Sequence, residues 1–340
     1  MWGQNEEEMM KQKRFFPGIP THNYQKGHNG NLLFYTVRDR LVYFTLFCSE
    51  ARQSGVKVLS LNLMFTHTHS LIEVTSRSDL SRFNLKVEMK YALEFNRQSG
   101  HRGPVFLKTY GWAQKRNSAK VRSCLAYIGN NHVEKKLCRH GMEERWSLLA
   151  YAFSTHPFSD PLVIRRASAK MKKAVKLVKD AHRRGQYLNY TLLDKVFDGL
   201  DGREQKQLID FIIVTYSVID YDEAARYFGS KEKMIAAFDT TTGSEYEISE
   251  NDEPEPDIAY KEMLLELKKA GFDLARKDFL DLPSRERGRL VSTLLRKTSA
   301  SQRQVSKLLR LENQPAPALP NRRDFQPQPP FFVFDSVPDL

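Results

Sequence analysis

The chain has 340 residues, with 53 Lys and Arg against 41 Asp and Glu, a formal charge of +12 at pH 7. That length allows two or three domains with a full core. An excess of that sign points to a polyanionic partner, with nucleic acid ahead of a membrane surface. Cys48, Cys124 and Cys138 form an odd set without C-x-x-C spacing, so neither a disulfide framework nor a cysteine-type zinc site is expected, which suits a reducing compartment. The N-terminus is charged where a signal peptide needs an apolar core. The longest apolar stretch, Leu208 to Ile219, is interrupted by Asp210 and is too short to span a bilayer. A cytoplasmic, nucleoid-associated location is the expectation.

After a charged leader, the segment from Thr21 predicts a strand, a Gly-punctuated turn around Gly27 to Asn31, and a second short extended piece at Leu32 to Thr36. Arg38 to Ser54 reads as an amphipathic helix, with Leu41, Phe44, Cys48 and Ala51 as its apolar stripe. The run VKVLSLNLMFTHTHSLIEV, Val56 to Val74, predicts two strands joined near Phe65-Thr66. Because side chains alternate across a strand, His67, His69, Leu71 and Glu73 share one face and Thr68, Ser70, Ile72 and Val74 the other. Two imidazoles at that spacing can share one metal ion.

Ser78 to Asn96 is expected to be helical, with Leu80, Phe83, Val87, Tyr91 and Phe95 buried and a Ser/Asp start to cap it. HRGPVFLKTYGW then reads as loop, strand and loop. A helix from Ala119 to about Asn131, capped by Ser118, buries Val121, Leu125 and Ile128 and presents Tyr127 and Asn131 one turn apart on one face. This order of elements is an α+β pattern, an antiparallel sheet covered by helices.

A strand-borne His-x-His after a long apolar strand, the segment GPVFLKTYGW, and AYIGNNHVEKKLC some sixty residues beyond the histidines together resemble the single-tyrosine HUH transposases, in particular the REP-associated tyrosine transposase branch. His22 to Gly27, with LLFY after it, adds to the resemblance, which covers roughly residues 20 to 150. It implies a ferredoxin-like sheet, a divalent metal (Mg²⁺ or Mn²⁺) ligated by His67, His69 and Asn131, and Tyr127 as nucleophile. The sequence departs from the family pattern at Phe65-Thr66, at Thr68 between the histidines, and at His132 after Asn131.

The residue types suit that chemistry. A phenol with pKa near 10 is a poor nucleophile at neutral pH and needs an electropositive setting, which a divalent ion supplies. Attack on a phosphodiester would give a 5′-phosphotyrosine and a free 3′-OH. Lys108, Lys115, Arg116 and Arg122, with Tyr110 and Trp112 interleaved, are candidates to hold phosphates and stack bases of single-stranded DNA beside a hairpin or inverted repeat.

Beyond the HUH-like domain of residues 15–150, residues 151–240 form a basic helical region, with Asp160 to Arg184 carrying Lys and Arg between apolar positions at helical spacing. Residues 241–257 read as an acidic linker and residues 313–340 as a Pro-rich tail. Between them, residues 258–312 resemble a helix-turn-helix, with helices from Ser284 to about Arg296 and from Ser301 to Leu311. Gln302, Arg303 and Gln304 would then face DNA. The expected activity is metal-dependent single-stranded DNA cleavage and strand transfer, as a monomer or homodimer. The alternative is a DNA-binding protein that recognises repeats or hairpins and cleaves nothing. A replication initiator is disfavoured, since no G-x-x-x-x-G-K-[ST] appears.

Overall fold

Four strands, β1 (Thr21–Lys26), β2 (Lys57–Leu63), β3 (His67–Glu73) and β4 (Gly111–Gln114), pair antiparallel in the order β2-β3-β1-β4. The structure, a computed structural model, describes residues 14–240 and 255–311; the leader through residue 13, linker residues 241–254 and the Pro-rich tail lie outside the described residues. The α+β class with an antiparallel sheet is as expected.

Helices α1 (Val37–Ser54) and α2 (Arg77–Ser99) cover one face of the sheet, and α3 (Ser118–Glu134) covers the other. Local chemistry sets their ends. Thr36 and Asp39 form a capping box at the start of α1, Ser76 caps α2, and Gly55 and Gly100 close the two helices in the left-handed region. For α3 the cap is Asn117, one residue earlier than expected. The apolar stripe of α2 is buried as its spacing predicts. Helix α1 is buried on every side from Asp39 to Ala51, because later helices pack on the flank that faces away from the sheet. Leu32 to Tyr35 do not form an extended strand. Leu33 and Phe34 both donate their backbone N–H to Phe65 O, at 2.8 and 3.3 Å, which makes the segment a buried loop.

The helical half comprises α4 (Ala169–Arg183), α5 (Tyr190–Phe197), α6 (Gly202–Tyr216), α7 (Tyr221–Arg226), α8 (Lys231–Thr240), α9 (Ile258–Lys269), α10 (Ser284–Lys297) and α11 (Gln302–Leu309). Helix α4 begins later than the basic segment suggests, and Leu162 and Val163 precede it. One apolar core runs without a break from Leu32 through Met171, Leu208 and Met263 to Leu309. Polar keystones accompany it. Asp39 Oδ1 accepts from Tyr190 at 2.6 Å and from Lys277 Nζ at 3.0 Å, while Oδ2 accepts the backbone N–H of Tyr35 and Thr36 at 2.8 and 2.9 Å. Arg145 pairs with the buried Asp210, which also accepts from Tyr151 and Ser159. Among the described residues no helix is long and apolar enough to cross a membrane.

Candidate active site

The sheet's alternation divides its residues by task. Toward α1 and α2 point Asn23, Gln25 and Thr68, tied to Asn84 and Tyr43. Toward α3 point His22, Tyr24 and Lys26 of β1 with His67 and His69 of β3, and the antiparallel register sets Tyr24 opposite His69 and Lys26 opposite His67. Asn62 of β2 flanks His69 on the other side.

The imidazoles and the phenol of α3 meet there. The Tyr127 ring lies 5.4 Å from the His69 ring and 5.8 Å from that of His22, edge-on to both. The rings of His67 and His69 are 4.8 Å apart and perpendicular. His22 Nε2 and His69 Nδ1 share a 3.0 Å hydrogen bond, and His67 Nδ1 is 2.9 Å from Thr66 Oγ1. Tyr127 is 5 % exposed, His67 2 % and His69 fully buried. Below them Asn62 Nδ2 donates to Ile128 O at 2.7 Å and contacts His132 Nδ1 at 3.2 Å, which ties β2 to α3. Asn131, one turn beyond Tyr127, is also buried, and its Nδ2 has no hydrogen-bond partner.

The electrostatics favour an anion. Burial pushes the His67 imidazole well below its ordinary value, and the charges of Lys135, Lys26, His132 and Lys307 push it further. Lysines from three separate parts of the chain thus act on it through their charge. A Cβ built on Gly30 would lie 3.1 Å from Lys307 Cε and 3.8 Å from Lys26 Cε, so these two side chains converge over a backbone position that only glycine leaves open. His132 is likewise pushed down to about 4 by burial. Burial opposes the charge of Glu144, yet Lys261, His132 and Arg40 hold its carboxyl down at about 2.

Among the described residues no cluster of three or more His, Cys, Asp or Glu is arranged to hold a metal ion. The donor chemistry of the His67/His69 pair nonetheless fits one. In each ring the hydrogen bond falls on Nδ1, so a bound ion would be ligated through Nε2. The buried Nε2 of His67 has no hydrogen-bond partner, and the ring is held neutral, as a metal ligand must be.

The other anticipated contacts divide. Lys108 and Arg116 are exposed, Arg116 stacking over Phe16 at 4.5 Å. Arg122, on the exposed side of α3, reaches the carbonyl of Tyr227. Tyr110 and Trp112 belong to the opposite face of the sheet. Tyr110 shares a 2.6 Å hydrogen bond with Ser81 of α2, and Trp112, which pairs with Asn23, lies against Phe15 and under Arg77. They therefore do not line the site beside Tyr127. Lys115 is only 1 % exposed, its backbone N–H donated to Pro20 O, so it is an interior residue and not a surface phosphate contact.

The C-terminal pair needs a similar correction. Gln302 and Arg303 are exposed, but Gln304 is 3 % exposed, completes the capping box with Ser301, and donates to Pro256 O at 2.9 Å. Helix α11 packs inward through Val305, Leu308 and Leu309. Its end is fixed to the N-terminal half by Tyr35, which donates to Leu308 O at 3.0 Å, and by Arg310, which donates to Leu32 O at 3.0 Å. What the sequence reading of the site lacked was His22, Tyr24, Lys26, Asn62, Lys135 and Lys307. The period-2 pattern of THNYQK does place His22, Tyr24 and Lys26 on one face, but nothing local says which strand that face adjoins.

Fold and site together define an α+β protein whose antiparallel sheet carries an imidazole and phenol cluster beneath one helix. No family model and no curated protein matches the chain. Among solved structures, a REP-associated tyrosine transposase bound to a REP hairpin is similar at 13 % identity, with 42 % of this chain and 85 % of that chain covered and a TM-score of 0.36.

Proposed function

We propose that this chain is a single-stranded DNA endonuclease and strand transferase of the transposase type, with Tyr127 as its nucleophile and hairpin-forming or inverted-repeat DNA as its substrate. The observation that carries the reading is the meeting of Tyr127, from α3, with His22 and His69, from two different strands, beside a lysine-rimmed imidazole. A core tyrosine needs no such company. Lys26, Lys135 and Lys307 supply positive charge that would act on a phosphodiester bound beside His67. Tyr127 Oη attacks phosphorus, the P–O3′ bond breaks, the 3′ oxygen leaves as a hydroxyl, and the 5′ side remains as a phosphotyrosine. His22, whose ring lies 5.8 Å from that of Tyr127, would take the phenolic proton and pass it to the departing 3′ oxygen. His67 and His69, with Asn131 as a third donor, would hold a divalent ion such as Mg²⁺ or Mn²⁺. When bound, that ion polarises the phosphate and offsets its developing charge.

A second reading, a DNA-binding protein that does not cleave, is favoured by one observation: Tyr127 is 5 % exposed, so a strand reaches it only if its cover moves. The two are separated with labelled hairpin oligonucleotides. Wild type forms an SDS-stable protein–DNA adduct only with a divalent ion, and Tyr127→Phe forms none while its DNA affinity stays within twofold. Adduct formation by Tyr127→Phe would reassign the nucleophile, and no cleavage by wild type across a panel of hairpins would leave the binder.

A further inference from the structure

The strongest concentration of charge in the chain lies away from this site. Between Arg165 and Arg184 there are nine Lys and Arg and one carboxylate, Asp180, a local excess of eight against twelve for the whole protein. All nine cations are exposed. Asp180 is already engaged by Arg183. The apolar side of α4, formed by Met171, Ala174, Val175, Val178 and Ala181, is wholly buried. Exposed and buried residues therefore separate cleanly along this helix, and a face of like charge is maintained at the cost of its own repulsion.

We infer that the exposed face of α4 is a second nucleic-acid surface, one that grips the phosphates of duplex DNA. Three observations select that partner. A basic amphipathic helix binds membranes by inserting its apolar side, and here that side is consumed by the core. Surfaces for single strands interleave cations with aromatic platforms, and the segment from Arg165 to Arg184 has no Phe, Tyr or Trp. The cations also recur at the spacing of one helical stripe: Lys172, Lys176, Lys179 and Arg183 lie on successive turns. A helix rising about 1.5 Å per residue carries them along about 16 Å, the axial rise of about five phosphates on one strand.

The surface is separate from the Tyr127 site. α4 lies on the side of the sheet covered by α1, where Gln53 donates to Gly185 O at 2.9 Å just past the end of α4, whereas Tyr127 lies under α3 on the other side. The protein thus presents one face for a reacting strand and another for a neighbouring duplex. The inference takes from the proposed function only that the nucleic acid is DNA.

The test is fluorescence anisotropy of the full chain with a blunt 20-base-pair duplex and, separately, a single strand of equal length, between 50 and 200 mM salt. The triple variant Lys172→Glu, Lys176→Glu, Lys179→Glu is expected to lose at least tenfold in duplex affinity. The slope of log affinity against log salt should fall by about 2.7, about 0.9 for each contact removed. Single-strand affinity should change by less than threefold. The corresponding Gln triple, which removes charge without reversing it, should show the same slope change. Unchanged duplex affinity and slope in both triples overturns the inference, as does an equal loss for single strand and duplex. Loss of binding to anionic lipid vesicles with duplex affinity intact would reassign the surface to membranes. Adduct formation through Tyr127 is read in a separate assay, so its absence sinks the proposed chemistry and leaves this surface standing.

Discussion

The two faces of one sheet are built on different principles. On the side of α1 and α2, polar side chains are linked to one another: Asp39 accepts four hydrogen bonds from four residues, and Tyr43, Gln25, Asn23 and Asn84 form a connected set. On the side of α3, His67 Nε2, Asn131 Nδ2 and Asn62 Oδ1 are buried without hydrogen-bond partners. A buried polar atom left unsatisfied costs about 1 to 3 kcal/mol. Three such atoms beside Tyr127 are what the proposed metal and phosphate contacts would satisfy. Adjacent residues of β3, Thr68 and His69, stand on the two sides of this division.

Four measurements sharpen or break that contrast. The largest effect is expected on the side of α1 and α2. Asp39→Ala strands the buried Lys277 ammonium and removes the acceptor half of the capping box of α1, leaving the Thr36 cap, and should destabilise by about 3 to 5 kcal/mol in urea titration. A loss below about 1 kcal/mol would mean that the network contributes little. Next is acid. Because His132 in the folded protein is pushed down to about 4 and His67 well below its ordinary value, the unfolded chain takes up their protons first as pH falls. Stability from these groups is full above about pH 6.5 and declines toward pH 4, on the order of 3 kcal/mol for His132 alone. Glu144, held at about 2, adds a further loss below about pH 4.5. Urea midpoints across pH 4 to 7 check this, and His132→Gln should flatten the slope.

A smaller effect is expected from metal. Mn²⁺ at ten times its dissociation constant should raise wild-type stability by about 1.4 kcal/mol and leave His67→Leu unmoved. Equal shifts in both proteins would place the ion elsewhere. The smallest concerns His67→Leu without metal. It gives up the bond to Thr66 but also removes an unsatisfied nitrogen, so it should fall within about 1 kcal/mol of wild type. A loss near that of Asp39→Ala would erase the difference between the faces.

The division between faces was legible in sequence where one element carries it alone. Alternation along HTHSLIE separates His67 and His69 from Thr68 and Ser70, and the spacing of Tyr127 and Asn131 puts both on one side of α3. What required the sheet order was not legible. That β1 lies beside β3, adding His22 and Lys26 to the histidines, is a long-range pairing with no local signature. The same pairing, with β4 at the edge beside β1, turns Trp112 away from the site despite its aromatic, basic neighbourhood. Gln304 looks like a polar residue on a reading helix, yet it serves as a cap, because Ser301 three residues before it makes a capping box. Lys307 reaches the site from 240 residues beyond His67, where no periodicity connects them.

The bond from Tyr35 to Leu308 spans 273 residues, and its consequence concerns time. During synthesis at about 5 to 20 residues per second, Tyr35 is made roughly 14 to 55 s before its partner exists. Leu33 and Phe34 find Phe65 and Tyr91 early in that interval, but the Tyr35 hydroxyl and Leu32 O wait for Leu308 and Arg310. The last contacts to close on this loop are thus polar ones, set by the position of the last described helix, and slowing translation should delay them.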